Sequence, residues 1–256
     1  MRTLLANATV ITMNPARDVL DTDILIENGV IADMGPGLAG RPENAGAERV
    51  DLSGRIVIPG LIQSHMHVTQ SLFRGLADEM ELMDWLQRRI WPLEGAHTPE
   101  TNAAAARLAA AEGLRSGVTA FIDMGTAHCQ DAIFETMRDV GMRGCSASVC
   151  RSGRHGRSRR AHGGCRACLR ESERLMNRWH ASAGGSSVTP SRRASCPRAR
   201  DAPHAHPTWR AVASPAPRLR EQGECAMWKS LVHMRNLRYL HSIGYTGRDV
   251  ILAHCI

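Results

Sequence analysis

Apolar and polar positions alternate in short runs near the start of the chain, in Ala8-Thr9-Val10-Ile11, Asp23-Ile24-Leu25-Ile26 and Val30-Ile31-Ala32. Glu27-Asn28-Gly29 and Gly35-Pro36-Gly37 supply turn signals between them. A period of two marks strands with one buried face, so Leu4 to Val57 predicts a small β-structure. Arg55 to Ile62 is then a continuous apolar run, the pattern of a strand buried on both faces of a parallel sheet, and it leads into Gln63-Ser64-His65-Met66-His67. Apolar and acidic residues mix from Leu76 to Leu86, and Trp91-Pro92 predicts a break. Thr98-Pro99-Glu100 opens an alanine-rich helix, with Thr98 as N-cap and Pro99 in the first helical position, and Gly117 closes it. Val118 to Met124 reads as a strand, Asp131 to Val140 as a helix ending at Gly141, and Gly144 to Val149 as a third strand. Strand, helix, strand, helix, strand is the rhythm of βα units and a parallel sheet.

That rhythm fails after Cys150. From Arg151 to Arg220 the chain is rich in Arg, Ser, Gly, Pro, Cys and His, and only Leu169 to His180 has the spacing of an amphipathic helix. Two readings fit: a basic insertion that cannot bury enough apolar surface to offset its ordering entropy, or a stretch translated out of frame, which we favour. Regular pattern resumes near Cys225 with a helix through Tyr239, a turn at Gly244-Tyr245-Thr246-Gly247 and a strand from Asp249 to Ile256.

Composition sharpens this division. The net charge of +7 belongs to one segment, because about half of the 32 Lys and Arg residues lie between Arg151 and Arg220; a uniformly basic face is excluded. Of the eight cysteines, Cys145, Cys150, Cys165, Cys168, Cys196 and Cys225 cluster in or beside the same segment, which is not a disulfide framework. Neither a signal peptide nor a run of about 18 apolar residues is present, so a soluble, reducing, cytoplasmic setting is expected, with no membrane partner.

The candidate chemistry sits at the end of the apolar strand. Residues i and i+2 of a strand point to one side, so His65 and His67 can share a metal ion, and barrel enzymes of parallel strands place their chemistry at this end. A pair of ordinary loop histidines is the plainer alternative; the preceding Pro59-Gly60 strand favours the metal pair.

At this point the sequence resembles a known family. Val57-Ile58-Pro59-Gly60-Leu61-Ile62-Gln63-Ser64-His65-Met66-His67, then Gln70 to Asp78 and Leu82-Met83-Asp84-Trp85-Leu86, is similar to the amidohydrolase superfamily, in the branch of aminohydrolases and chlorohydrolases acting on purines, pterins and s-triazines. The resemblance runs from Met1 to about Gly144 and resumes near Leu237. It implies an α/β protein: a partial metal-dependent (β/α)8 barrel with an N-terminal segment of a small β-sandwich. The expected divisions are a sandwich segment (1–57), the first βα units (58–150), the basic, out-of-frame segment (151–224) and a later barrel helix and strand (225–256).

By resemblance His65 and His67 match metal ligands for one divalent ion, Zn or Fe. His254 matches a sixth-strand histidine that orients or polarises the attacking water or the substrate, and Gln70 and Trp85 sit where the family shapes its pocket for a small heteroaromatic substrate; a core role for Trp85 is the alternative. The family's third metal histidine with its neighbouring glutamate, and an eighth-strand aspartate, have no in-frame counterpart. Codons for Ala216 to Gln222, read one nucleotide later, can spell His-Ala-Ser-Glu-Asn, as a frameshift would leave behind. The expectation is therefore a hydrolase of carbon–nitrogen bonds other than peptide bonds, inactive as written. A homo-oligomer is compatible with it.

Three other patterns carry less. His204-Ala205-His206 lies between prolines with no apolar strand; His162, Cys165 and Cys168 lack a second matching pair for zinc; the Arg151 to Arg160 run has no interleaved aromatics, so nucleic-acid binding is not expected. A non-catalytic basic nucleic-acid-binding protein, and the non-functional product of a damaged gene, remain the alternative readings.

Overall fold

A computed structural model describes residues 1–76, 79–126, 128–146, 164–180, 188–190, 210–213, 238, 241–242 and 250–253. It divides into two compact units, Met1–Gly60 and Leu61–Ile256.

The N-terminal unit is one five-stranded sheet. Strands β1 (Arg2–Ile11), β2 (Val19–Glu27) and β3 (Val30–Gly35) pair antiparallel in sequence, while β4 (Glu48–Asp51) and β5 (Ile56–Val57) both run parallel to β1. The β1–β2 register shifts between Leu5 and Ala8, with Asn7 at φ 59°. One extra residue in a strand transfers its alternation to the opposite face. Leu4 accordingly packs with Leu25 and Leu38, whereas Ala8 and Val10 pack with Ile24, so apolar clusters lie on both faces. One sheet is present among the described residues of this unit, where the sequence predicted a sandwich segment.

The second unit is built on four parallel strands in the order β6 (Leu61–Met66), β7 (Val118–Asp123), β8 (Arg143–Ser146) and β9 (Val188–Pro190). Between β6 and β7 come α1 (Leu82–Trp85), a π-helical turn over Leu86–Ile90, α2 (Trp91–Gly95) and α3 (Pro99–Arg115). Helix α4 (Gln130–Val140) follows β7, and α5 (Gly164–Trp179) precedes β9. A separate parallel pair joins β10 (Arg210–Ala213) to β11 (Val250–Ala253). Mixed α/β architecture with a parallel sheet is what the βα rhythm predicted.

Local signals account for the helix ends. Thr98 accepts the Thr101 N–H while Thr101 returns a bond to the Thr98 N–H, a reciprocal cap with Pro99 just inside it. Gly117 (φ 80°) and Gly141 (φ 77°) turn the chain after α3 and α4 in the left-handed region that glycine adopts without Cβ strain.

Two expectations are corrected. The apolar run Arg55 to Ile62 is not one buried strand: it divides into β5 and β6 around Pro59-Gly60, and Ile56, Ile58, Leu61 and Ile62 are exposed. Pro59 has no N–H to give a ladder, and β6 pairs with β7 alone among the described strands. Nor does Trp91-Pro92 break the helix. Pro92 lies in the first turn of α2, where a missing N–H costs nothing, and the π turn before it absorbs the change of pitch.

The core of this unit joins Val68, Ala106, Ala110, Phe121, Ile133, Phe134, Met137, Leu175 and Trp179. The helix expected over Leu169 to His180 is thus present as α5, and its apolar face is part of that core. Trp179 stacks on Phe134 (5.6 Å between ring centres) and donates its indole N–H to Asp131 (2.8 Å); Arg174 and Arg178 pair with the same carboxylate. No helix among the described residues is long and apolar enough to cross a membrane.

Candidate metal centre

His65 stands in β6 near its C-terminal end, and His67 is the first residue beyond the strand, in extended conformation (φ −125°, ψ 91°). Their rings meet edge to face, with centres 5.3 Å apart and planes at 87°. Two imidazoles each bound at about 2.0–2.1 Å to one tetrahedral ion have ring centres roughly 5 Å apart. The pair therefore fits a shared divalent ion in donor type and spacing. No group of three or more His, Cys, Asp or Glu side chains that could hold a metal occurs among the described residues, and His254 lies outside them.

After His67 the chain makes a 3-10 turn, Val68–Phe73, that is tied down at almost every residue. The Val68 N–H donates to Asp123 (3.0 Å), the Gln70 N–H to the His67 carbonyl (3.0 Å), and the Ser71 hydroxyl contacts the Val68 and Ala105 carbonyls. The Thr69 carbonyl accepts from the His97 ring (3.2 Å), and Arg74 makes a two-pronged ion pair with Glu112. Gln70 donates its side-chain amide to Glu94 (2.8 Å), a carboxylate that α2 buries almost completely. Trp85, at the end of α1, is half-buried. His67, Gln70 and Trp85 line one cavity of about 580 Å³, with Met66, Phe73, Ile90 and Phe121 supplying apolar walls. His65 is not among its lining residues.

Sequence reasoning missed a buried polar cluster beside this turn. Asp123, at the C-terminal end of β7, accepts from Val68, from the Ser146 hydroxyl at the end of β8 (2.5 Å) and from the Gln130 amide at the start of α4 (3.5 Å). Burial raises the Asp123 carboxyl above its usual range, against the lowering effect of the Ser146, Val68, Gly125 and Gln130 donors. An acidic residue closing an apolar strand was the available signal. His97 was missed too: it stacks on Phe73 and reaches Thr101, and burial lowers its pKa, countered by the Thr69 carbonyl bond and aided by nearby His128. Glu94 gave no signal, being one acid among several in a helical stretch.

Comparison with known proteins bears on this arrangement. The model of the amidohydrolase family matches residues 56–196, which span His65, His67, Asp123 and α5. The 5-methylthioadenosine/S-adenosylhomocysteine deaminase of Bacillus anthracis is 42% identical over 146 residues, covering 56% of this chain and 33% of the deaminase. The chain thus matches about a third of such relatives. Among solved structures, a triazine hydrolase from Arthrobacter aurescens superposes with a TM-score of 0.82 at 22% identity, over all of this chain and 60% of the hydrolase. A zinc-bound adenosine deaminase from Xanthomonas campestris gives 0.72 at 23% identity, over 98% of this chain and 57% of its own. At those identities the likeness speaks for the fold, the (β/α)8 type of the amidohydrolases. Since the family model spans more than half of its residues, and the βα units it spans carry the His65–His67 pair, the chain belongs to the amidohydrolase family.

Proposed function

We propose that this chain carries the first βα units of a metal-dependent hydrolase that deaminates or dechlorinates a small heteroaromatic substrate. The observation that carries this reading is the His65–His67 pair, two imidazoles at single-ion spacing at the C-terminal end of a parallel strand. His65 and His67 would hold one divalent ion, Zn or Fe. An ion held there would supply an activated water as the nucleophile for hydrolysis at the ring carbon that bears the leaving group. Gln70, braced by Glu94, and Trp85 present a polar group and a ring to the cavity they share with His67, which suits a flat heteroaromatic. His254 is assigned to orienting the water or substrate. The deaminases and triazine hydrolase among the similar proteins support the reaction class. The fuller architecture we assign is a barrel with an N-terminal sandwich segment, in the cytoplasm. Outside α5, β9 and β10, residues 151–224 are assigned to out-of-frame passages; resequencing the DNA from about codon 140 tests that.

Two histidines are a thin donor set, because each missing ligand removes charge and donor atoms from the ion. Low or no turnover is expected of the chain as given. The test is metal uptake by the purified full chain, with Co²⁺ or Zn²⁺ in equilibrium dialysis, beside His65→Asn, His67→Asn and the double variant. Ammonia release from 5-methylthioadenosine, adenosine and guanine, and chloride release from atrazine, are followed in parallel. Binding that falls in each single variant supports the reading; unchanged binding in the double variant overturns it. Turnover in the ordinary enzymatic range, about 1–10³ s⁻¹, would overturn the expectation of a weakened site.

A further inference from the structure

Three backbone groups fix the conformation at His67, and two of them are satisfied by other backbone. The Met66 carbonyl accepts the Met124 N–H (2.7 Å), and the His67 carbonyl accepts the Gln70 N–H (3.0 Å). The third, the Val68 N–H, goes to the Asp123 carboxylate (3.0 Å). The peptide units on either side of His67 are therefore clamped by consecutive residues of one chain segment, Asp123 and Met124. Only one of those clamps is a side chain.

Asp123 is itself over-determined. It is 2% exposed, and its second oxygen takes the Ser146 hydroxyl and the Gln130 amide, both fully buried. Gln130 also reaches Ser146 and accepts the Thr126 N–H (3.3 Å). The carboxylate thus ties the C-terminal ends of β6, β7 and β8 and the start of α4 into one polar knot beneath the turn. A charged group so deep in a parallel sheet costs desolvation, and a saturated core would accept Leu or Asn there more cheaply. What Leu cannot supply is an acceptor at the Val68 N–H. What that acceptor fixes, together with the Gln70 N–H on the His67 carbonyl, is the plane of the peptide immediately after His67, and with it the direction of the His67 Cα–Cβ bond.

We propose that Asp123 is a positioning residue for His67, presetting the imidazole for the ion before the ion arrives. This rests on the reading of His65 and His67 as metal ligands. Outer partners of metal ligands are worth roughly 10–100-fold in metal affinity, and that is the size of effect expected here.

The experiment uses the full chain and Co²⁺ as the probe, read by chelator competition and by the ligand-field absorption of the bound ion, with thermal melting recorded on each variant. Asp123→Ser is too short to reach Val68, and its Co²⁺ affinity should fall roughly 10–100-fold with an altered spectrum. Asp123→Asn keeps an acceptor oxygen for Val68 and should bind within about threefold of the parent, below the range of an outer-partner loss. Ser146→Ala is the stability control: it removes a buried partner of Asp123 but leaves the Val68 bond, so melting should drop while affinity and spectrum hold. Should Asp123→Ser not stay folded, Asp123→Glu takes its place, since one extra methylene displaces the carboxylate from Val68. Parent-like affinity and spectrum in the displaced or shortened variant overturn the proposal, as does an equal affinity loss in Ser146→Ala, which would make the knot merely structural. His65→Asn and His67→Asn separate the two readings: if they leave Co²⁺ binding intact the ligand assignment fails, and if they abolish it while Asp123→Ser does not, only the positioning role fails.

Discussion

Replacing Trp179 tests whether α5 is an integral part of the second unit. The side chain is 3% exposed, stacks on Phe134, lies under the guanidinium groups of Arg138 and Arg178 and donates to Asp131. A buried aromatic removes about 150–250 Å² from water, worth about 4–6 kcal/mol at about 25 cal/mol/Å² as an upper bound. Large-to-small core replacements of this kind cost about 3–5 kcal/mol, and we expect Trp179→Ala in that range. For a unit of this size that corresponds to a fall in Tm of roughly 6–20 °C. Trp179→Phe keeps the stack and loses the N–H bond, while Asp131 retains Arg174 and Arg178, so it should cost only about 0.5–1.5 kcal/mol. The assay is guanidinium unfolding followed by far-ultraviolet circular dichroism, which does not depend on the indole being replaced. A Trp179→Ala cost below about 1 kcal/mol, in the range of surface substitutions, would refute the packing of α5 into this core.

Other outcomes follow from the same contacts. Gly144→Ala should destabilise by about 1–3 kcal/mol, because its Cβ would sit 2.7–2.8 Å from three ring atoms of buried Phe121. Gly113→Ala should be nearly neutral: the Cβ lies 3.1 Å from the flexible tip of Met142, and a helical alanine returns roughly 1 kcal/mol; both are read from chemical melts. Burial alone would raise Asp131, but the Arg174 and Trp179 bonds and the charges of Arg174 and Arg178 outweigh it and lower its pKa. Its contribution is therefore present above the unfolded value of about 3.9 and lost as pH falls through the lower folded one, so Asp131→Asn should reduce Tm at pH 6 and converge on the parent only as acidification protonates the folded carboxyl. His97, lowered by burial, stabilises above about 6.5 and loses that contribution on acidification, so a melting series from pH 7.5 to 5 should fall less steeply in His97→Gln. Saturating Zn²⁺ should raise the Tm of the parent and not of the double His65→Asn, His67→Asn variant, since a ligand stabilises only the state that binds it.

What could be read from the sequence follows how local each signal is. Helix α3 was legible to the residue at its start because Thr98, Thr101 and Pro99 act on one another within a single turn. The strand at Val118 and the helix ending at Gly141 were legible for the same reason. The Arg55 to Ile62 run misled because apolarity cannot report how many neighbours a strand has, and β6 has one among the described strands. Helix α5 was legible from its amphipathic spacing even inside a basic segment: Arg174 and Arg178 point at Asp131, while Leu175 and Trp179 face inward. In the site, His65 and His67 are two residues apart and announce themselves by spacing. Asp123, Gln130 and Ser146 meet only because parallel strands bring their C-terminal ends together, and no periodicity connects residues so separated in the chain.

The same topology explains how a site can be ordered beside a strand with one partner among the described strands. β6 has exposed Leu61 and Ile62 at its beginning, yet by Val68 the chain is completely buried. Among the described residues, order at His67 comes from β7 through Met124 and Asp123 and from the turn that α3 anchors at Ser71. None of those bonds uses the side of β6 that faces away from β7. A substitution at Asp123 that removes the Val68 bond should therefore shift the geometry of the His65–His67 pair without taking either imidazole from it.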